Sequence, residues 1–127
     1  MKTIAVIGDG GWGSALAVIL AERGHRVRLW GAFPEALEDM ARRRENTRFL
    51  PGVPLPDALA LHADPAEAME GAEVAVLAVP SQYAAAVLGR FRGLLPPGCL
   101  PVSVAKGIGR DEGLRMTELA ERMLDAG

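Results

Sequence analysis

The sequence has a single cysteine, Cys99, among its 127 residues. One cysteine excludes an internal disulfide and a metal site built from several cysteines. The two histidines, His25 and His62, are far apart in the sequence, so no zinc cluster is expected and no metal is predicted. Neither histidine has an acid or a nucleophile in a catalytic pattern beside it. Cys99 adjoins a predicted buried strand and is interpreted as a core residue rather than a nucleophile.

The sequence also lacks an excess of positive charge, because it has 14 basic and 16 acidic side chains and a formal charge of −2. General nucleic-acid binders and membrane-surface binders usually need a basic excess, so neither class is expected. No uninterrupted apolar run reaches the roughly 18 residues of a spanning helix, and no membrane insertion is predicted. The first residues lack the shape of a signal peptide, and we expect a cytoplasmic protein.

The apolar half of the composition is sufficient for one globular domain, which we expect to span residues 1–127. Apolar patterns predict strands that alternate with helices five times, which is typical of an α/β, doubly wound parallel sheet. Three prolines and a glycine predict a long ordered loop over 46–56. The strands are predicted at 2–7, 25–30, 59–62, 73–79 and 100–105, and the helices at 12–23, 35–44, just after Asp64, at 82–95 and at 114–124.

A G-x-G-x-x-G motif, formed by Gly8, Gly10 and Gly13, lies directly after the first predicted strand and opens the first predicted helix. Gly8 permits a tight turn, Gly10 lets the backbone approach a pyrophosphate, and Gly13 lets the helix pack against the strand. The N–H groups and dipole of the helix N-terminus favour the phosphates. In this strand–helix context the motif predicts a dinucleotide site.

The end of the second predicted strand lacks the acid that would bind the ribose 2′-hydroxyl of NAD. The chain reads Trp30-Gly31-Ala32-Phe33 there, and the nearest acid, Glu35, lies in the next predicted helix. NADP is therefore allowed as well as NAD, and NADPH is slightly favoured. The arginines at 42–44 or Arg48 could reach a 2′-phosphate, although a solvated helix end is the simpler interpretation of this basic cluster.

Five fragments, in order and spacing, resemble the bacterial-type NAD(P)-dependent glycerol-3-phosphate dehydrogenases across nearly the whole chain. The fragments are Gly8-x-Gly10-x-Trp12-Gly13-x-Ala15-Leu16-Ala17, Leu29-Trp30, Asn46-x-x-Phe49-Leu50-Pro51-Gly52, Val79-Pro80-Ser81-Gln82-Tyr83 and Ala105-Lys106-Gly107-Ile108. The resemblance implies a three-layer, Rossmann-type sheet. It also implies reduction of dihydroxyacetone phosphate to sn-glycerol 3-phosphate by hydride transfer from a nicotinamide, for phospholipid synthesis.

The resemblance further implies that residues 1–127 are the N-terminal part of a longer enzyme. The family's helical substrate domain, with its proton-transfer lysine, is absent from this chain, so no catalytic residue is assigned and little or no turnover is expected. Besides the three motif glycines, the resemblance implies cofactor contacts from Gly11, Trp12, Ala32, Phe49, Pro80, Tyr83 and Lys106. Ala32 replaces a residue that is often basic or polar in the family.

Lys106 is also implied as a substrate-binding residue, and its position supports this independently. It ends a predicted buried strand, at the sheet edge where ligands of open α/β sheets bind. The chain has 12 arginines and only two lysines, yet it has an ammonium there. A compact ammonium could stabilise negative charge that develops on a substrate carbonyl oxygen.

Three other interpretations are compatible with the sequence. The chain could be the cofactor domain of another hydroxyacid or ketopantoate-type dehydrogenase, which would share the glycine motif and the Val79-Pro80 strand end. It could be a non-enzymatic dinucleotide-sensing module, or a structural domain that binds no nucleotide. Apolar surface left where a further domain would pack could support a homodimer.

Overall fold

The computed structural model describes residues 2–79 and 81–103. The strands are β1 (Thr3–Ile7), β2 (Arg26–Trp30), β3 (Glu45–Asn46), β4 (Leu50–Pro54), β5 (Ala60–His62), β6 (Val74–Leu77) and β7 (Leu100–Ser103). The helices are α1 (Gly11–Glu22), α2 (Pro34–Arg43), α3 (Pro65–Met69) and α4 (Ser81–Arg90). The predicted helix over 114–124, together with Pro80 and Lys106, lies outside the described residues.

Five of these strands form one parallel sheet in the order β5-β2-β1-β6-β7. At the carboxyl end of the sheet, Ile7 of β1 is paired with Trp30 on one side and Leu77 on the other. The chain first builds outward from β1 through β2 to β5, and then crosses back to β6 and β7 on the opposite side. The strand order therefore reverses between β1 and β6, where doubly wound sheets form their ligand crevice.

Helices cover both faces of the sheet. In β1, Ala5 and Ile7 belong to the apolar cluster that includes Met69 of α3 and Leu88 of α4. The alternate residues of β1 belong to a second cluster, which includes residues of α1 and α2 such as Val18. The α/β, doubly wound, three-layer architecture expected from the sequence is confirmed.

The indole of Trp30 anchors the end of β2 in the core. Its side chain is 1% exposed, and its Nε1 donates a hydrogen bond to the carbonyl oxygen of Ala63 over 2.8 Å. The ring meets Phe91 edge-to-face with centroids 4.9 Å apart. Cys99 packs against the same cluster, and burial raises the pKa of its thiol, as suits a core residue.

The segment predicted as a loop over 46–56 contains regular structure, so that prediction was wrong. β3 and β4 form a separate antiparallel ribbon, in which Glu45 is paired with Pro54 and Asn46 with Leu50. Pro51 and Pro54 predicted a loop because proline cannot donate to a strand ladder. A two-stranded ribbon leaves one edge of each strand unpaired, and proline is tolerated there.

The fourth helix is shorter than predicted, because α4 ends at Arg90 and not near residue 95. Turns follow it, with Phe91 buried against Trp30 and Gly93 at a φ of +77°. The apolar side chains after Arg90, which suggested a longer helix, extend from these turns and pack against the core. Within residues 2–79 and 81–103, no helix is long and apolar enough to cross a bilayer, and α1, with 12 residues, is as long as any of them.

Candidate functional site

Two glycines of the loop between β1 and α1 are required by the fold itself. Gly8 has a φ of +121°, and a Cβ on it would lie 2.8 Å from the carbonyl oxygen of Ala78. A Cβ on Gly13 would overlap the carbonyl oxygen of Gly8 and lie 3.2 Å from the Cβ of Ala78. The tight turn and the close packing of α1 against the sheet, both expected from the sequence, are present.

Gly10, in contrast, is not required by the fold. Its φ of −68° and ψ of −178° suit any residue. A Cβ built on Gly10 would meet none of the described atoms within 4 Å. The space beside this backbone is therefore open, and it lies directly at the N-terminus of α1.

The N-terminus of α1 has the properties of an anion site. Gly10 is its N-cap residue and makes no side-chain capping hydrogen bond, and the first turn of the helix holds no acid. The backbone N–H groups and the positive end of the helix dipole favour negative charge at this point. Open space beside Gly10 and a helix N-terminus without an acid in its first turn together fit a pyrophosphate, which the glycine motif predicts.

A buried polar cluster fixes this glycine loop from a distant part of the chain. Asn46, 3% exposed, donates from Nδ2 to the carbonyl oxygen of Asp9 and to Oγ of Ser14, each over 2.8 Å. The hydroxyl of Ser14 donates to the same carbonyl oxygen over 3.0 Å. The backbone N–H of Phe49 donates to Oδ1 of Asn46 over 3.2 Å. Asn46 and Ser14 therefore hold the glycine loop and the β3–β4 turn together.

The same turn also packs directly on the glycine loop. A Cβ on Gly11 would lie 2.8 Å from the carbonyl oxygen of Phe49, so the two backbones are in close contact. The side chains of Phe49 and Trp12 remain about half exposed, at 50% and 48%. Trp12 follows Gly11 in the first turn of α1, and Phe49 contacts Gly11 through its backbone, so two exposed aromatic residues adjoin the glycine loop.

Asp9 places a carboxyl group next to the end of β2, which the sequence analysis did not foresee. A Cβ on Gly31 would overlap Oδ2 of Asp9 and lie 2.8 Å from its Cγ. Burial raises the pKa of Asp9, while a hydrogen bond from its own backbone and the charge of Arg48 oppose that rise. One feature of the sequence could have indicated this carboxylate: Asp9 is an acid inside the glycine motif, and the turn itself does not need a carboxylate there.

Of the arginines considered for a 2′-phosphate, two are paired elsewhere. Arg42 and Arg43 contact Asp39 on the surface of α2, over 2.7 and 2.8 Å. The hydrogen bond from Arg43 is the main reason that the pKa of Asp39 is lowered, with Arg42 contributing less. The solvated helix end is thus the better interpretation for these two residues.

The other two arginines of this group have different roles. Arg44, at a φ of +50°, donates from its guanidinium to the carbonyl oxygens of Pro56 and Leu59 and anchors the segment after β4. Arg48 is exposed, and its guanidinium lies 5.1 Å from the ring centroid of Phe49. Among the four, Arg48 is the residue whose charge acts on Asp9 in the glycine loop.

Most of the predicted site residues lie at the carboxyl end of the sheet. Six of them meet around the glycine loop: Gly8, Gly10, Gly11, Trp12, Gly13 and Phe49. Ala32 follows the end of β2 and is partly buried against the core. Tyr83, 57% exposed, lies in the first turn of α4, which follows β6. The contacts of all these residues with a cofactor stay predictions, as do those of Pro80 and Lys106.

The chain matches a family model described as "NAD-dependent glycerol-3-phosphate dehydrogenase N-terminus" over residues 3–127. A glycerol-3-phosphate dehydrogenase [NAD(P)+] of Corynebacterium jeikeium is 42% identical over 98% of this chain and 38% of its own length. One of Geobacillus kaustophilus is 43% identical over 97% of this chain and 36% of its own length. The crystal structure of glycerol-3-phosphate dehydrogenase from Coxiella burnetii superposes with a TM-score of 0.85 at 31% identity, covering 97% of this chain and 38% of that one.

The chain thus spans between a third and two fifths of these relatives, and what it shares with them is the cofactor-binding part. The match includes the glycine loop, the β3–β4 ribbon and both halves of the doubly wound sheet. This chain belongs to the family of the N-terminal domain of NAD-dependent glycerol-3-phosphate dehydrogenases.

Proposed function

We propose that this chain is the dinucleotide-binding part of an NAD(P)-dependent glycerol-3-phosphate dehydrogenase. The reaction is the interconversion of dihydroxyacetone phosphate and sn-glycerol 3-phosphate, for phospholipid synthesis in the cytoplasm. The bound nicotinamide supplies the hydride, and this domain holds the cofactor at the switch point of the sheet. The curated relatives bear the corresponding activity in their names, which supports the proposal.

The single observation that carries the proposal is the open space at Gly10. The fold explains the glycines at positions 8 and 13, whereas it places no demand on position 10. A glycine there is useful to a ligand that must approach the backbone at the N-terminus of α1. A pyrophosphate bound by backbone N–H groups is such a ligand.

The roles of the remaining residues are those that the family resemblance implies, and the order of the elements in the doubly wound sheet is compatible with them. Ala32 follows β2 and is proposed for the adenosine end of the cofactor. Pro80 and Tyr83 follow β6, across the switch point, and are proposed for the nicotinamide end, with the Tyr83 ring as an apolar wall. Lys106 is proposed to contact both cofactor and substrate, where its ammonium would hold the substrate carbonyl oxygen and stabilise its developing charge.

A fluorescence titration of the purified chain with NADH and with NADPH tests dinucleotide binding. The half-exposed Trp12 lies in the first turn of α1, two residues after Gly10, so saturable quenching of its emission is expected. Replacing it, Trp12→Phe, should remove most of that quenching, because the remaining Trp30 is 1% exposed in the core. A folded chain that shows no saturable signal with either nucleotide would contradict the proposal.

The domain alone is expected to show little or no turnover of dihydroxyacetone phosphate. The proposed role of residues 1–127 is cofactor binding, and the proton-transfer lysine implied by the resemblance has no counterpart assigned in them. The measurement is NADH or NADPH oxidation by the purified chain at saturating dihydroxyacetone phosphate. Appreciable turnover would mean that the catalytic groups are complete in this chain.

We also propose that the chain can self-associate as a homodimer. Sedimentation of the same sample tests this.

The choice between the two cofactors is the finer part of the proposal. The slight preference for NADPH expected from the sequence depends on the missing acid at the end of β2. The carboxyl group of Asp9 beside Gly31 bears directly on that argument. An acid from the glycine loop therefore lies beside the strand end at which the acid of β2 is missing.

A further inference from the structure

We propose that Asp9 is the residue that selects NADH over NADPH in this protein, by placing a carboxylate from the glycine loop at the end of β2. The inference rests on the proposed cofactor-binding function. In many dinucleotide-binding sheets an acid on the second strand binds the ribose 2′-hydroxyl. Here that strand ends at Trp30, Gly31 follows it, and the carboxylate comes from the glycine loop after the neighbouring strand β1 instead.

The geometry follows from the pairing of β1 with β2. Ile7 and Trp30 are register partners at the ends of these parallel strands. The N–H of Gly8 then donates to the carbonyl oxygen of Trp30 over 3.0 Å, which brings the residue after Gly8 over the end of β2. The Asp9 carboxyl consequently lies against Gly31, in space that a side chain at position 31 would fill.

Gly31 is therefore linked to Asp9 sterically. No positive φ is present at Gly31, so its backbone does not require glycine. The atoms that a Cβ there would meet belong to the side chains of Asp9 and Leu37. Gly31 thus keeps open the position that the Asp9 carboxyl occupies.

A carboxylate at this position discriminates between the two cofactors by its charge. It accepts a hydrogen bond from the 2′-hydroxyl of NADH, whereas it repels the 2′-phosphate of NADPH. Arg48 provides a positive charge that acts on the same carboxyl. The two side chains have opposite effects on a 2′-phosphate, and the partly buried Asp9 is closer to the strand end than the exposed Arg48.

The test compares the wild-type chain with Asp9→Asn by titration with NADH and NADPH. The variant keeps the shape of the side chain and removes its charge, and we expect the ratio of the two dissociation constants to move at least tenfold toward NADPH. Adenosine 2′,5′-bisphosphate and 5′-AMP, used as competitors, isolate the 2′-phosphate and should show the same shift. Glu22→Gln, the same kind of charge loss at the far end of α1, should leave the ratio unchanged.

Two further variants keep the inference testable if Asp9→Asn alters the loop. Gly31→Ala displaces the carboxyl without removing it and should move the ratio in the same direction. Arg48→Gln, combined with Asp9→Asn, should abolish most of the gain in NADPH affinity. If the wild type binds neither nucleotide, the proposed function fails; if it binds and the ratio stays within twofold in Asp9→Asn, the selection by Asp9 is wrong.

Discussion

Gly10→Ala is expected to weaken binding of the nicotinamide dinucleotide about 100-fold, or by about 2.7 kcal/mol, while the domain stays as stable as the wild type. The added methyl group would enter open space and requires no change in the backbone. It would nevertheless occupy the position from which a pyrophosphate approaches the N-terminus of α1. Fluorescence titration gives the affinity, and denaturation by urea gives the free energy of unfolding.

The matched control is Gly13→Ala, the same substitution three residues later. Alanine is intrinsically favoured over glycine inside a helix by about 1 kcal/mol. At position 13, however, the new Cβ overlaps the backbone oxygen of Gly8, which cannot move aside as a flexible side chain would. We expect a net loss of about 2–3 kcal/mol of stability, in the range of overpacked cores.

Unchanged affinity in Gly10→Ala would show that no ligand approaches the backbone at position 10.

Asn46→Ala is expected to cost about 3 kcal/mol of stability and to weaken cofactor binding as well. The substitution removes the three hydrogen bonds that the Asn46 side chain makes with other described residues. It leaves the part-buried N–H of Phe49 without that acceptor. A fully buried polar group that loses its partner costs about 1–3 kcal/mol, and a part-buried one costs less. For a domain whose total stability is about 5–15 kcal/mol, the loss is measurable by urea denaturation.

Three variants separate this role from the general effect of a mutation in the turn. Asn46→Asp preserves the shape but loses the donor, so it should be at least as unstable as Asn46→Ala, because an oxygen would then face the carbonyl of Asp9. Ser14→Ala should cost about 1 kcal/mol, since the bond from Asn46 to Asp9 remains. Thr47→Ala, at an exposed position of the same turn, should be neutral. A stable Asn46→Ala with full affinity would show that the cluster does not support the glycine loop.

The frame of the fold was predictable because its signals are local in sequence. The apolar run at 74–79 predicts a strand covered on both faces, and in the structure Ala75 and Val76 belong to opposite apolar clusters. The glycine at position 8 marks the turn after β1 in the same way. Such patterns depend on neighbours within a few residues, which a single sequence displays.

The contacts that support the glycine loop were not predictable, because they join residues that are far apart in the sequence. Asn46 contacts Asp9 and Ser14, which precede it in the chain by 37 and 32 positions. The residues next to Asn46 in the sequence do not indicate a buried amide. Asp9 and Gly31 are likewise brought together only by the pairing of β1 with β2. The prolines of the β3–β4 ribbon even favoured the wrong prediction, because their effect depends on which strand edge is left unpaired.

The same long-range bonds have a consequence for the order in which the protein forms during synthesis. The β1–α1–β2 unit can form before residue 46 has been made, because the register partners of β1 and β2 are 23 positions apart. The glycine loop, in contrast, obtains its buried amide only when residue 46 has been made and the ribbon has docked. Contacts of such sequence separation close a long chain loop at an entropic cost, so they form late. A nascent chain therefore has its sheet nucleus well before it can hold a nucleotide.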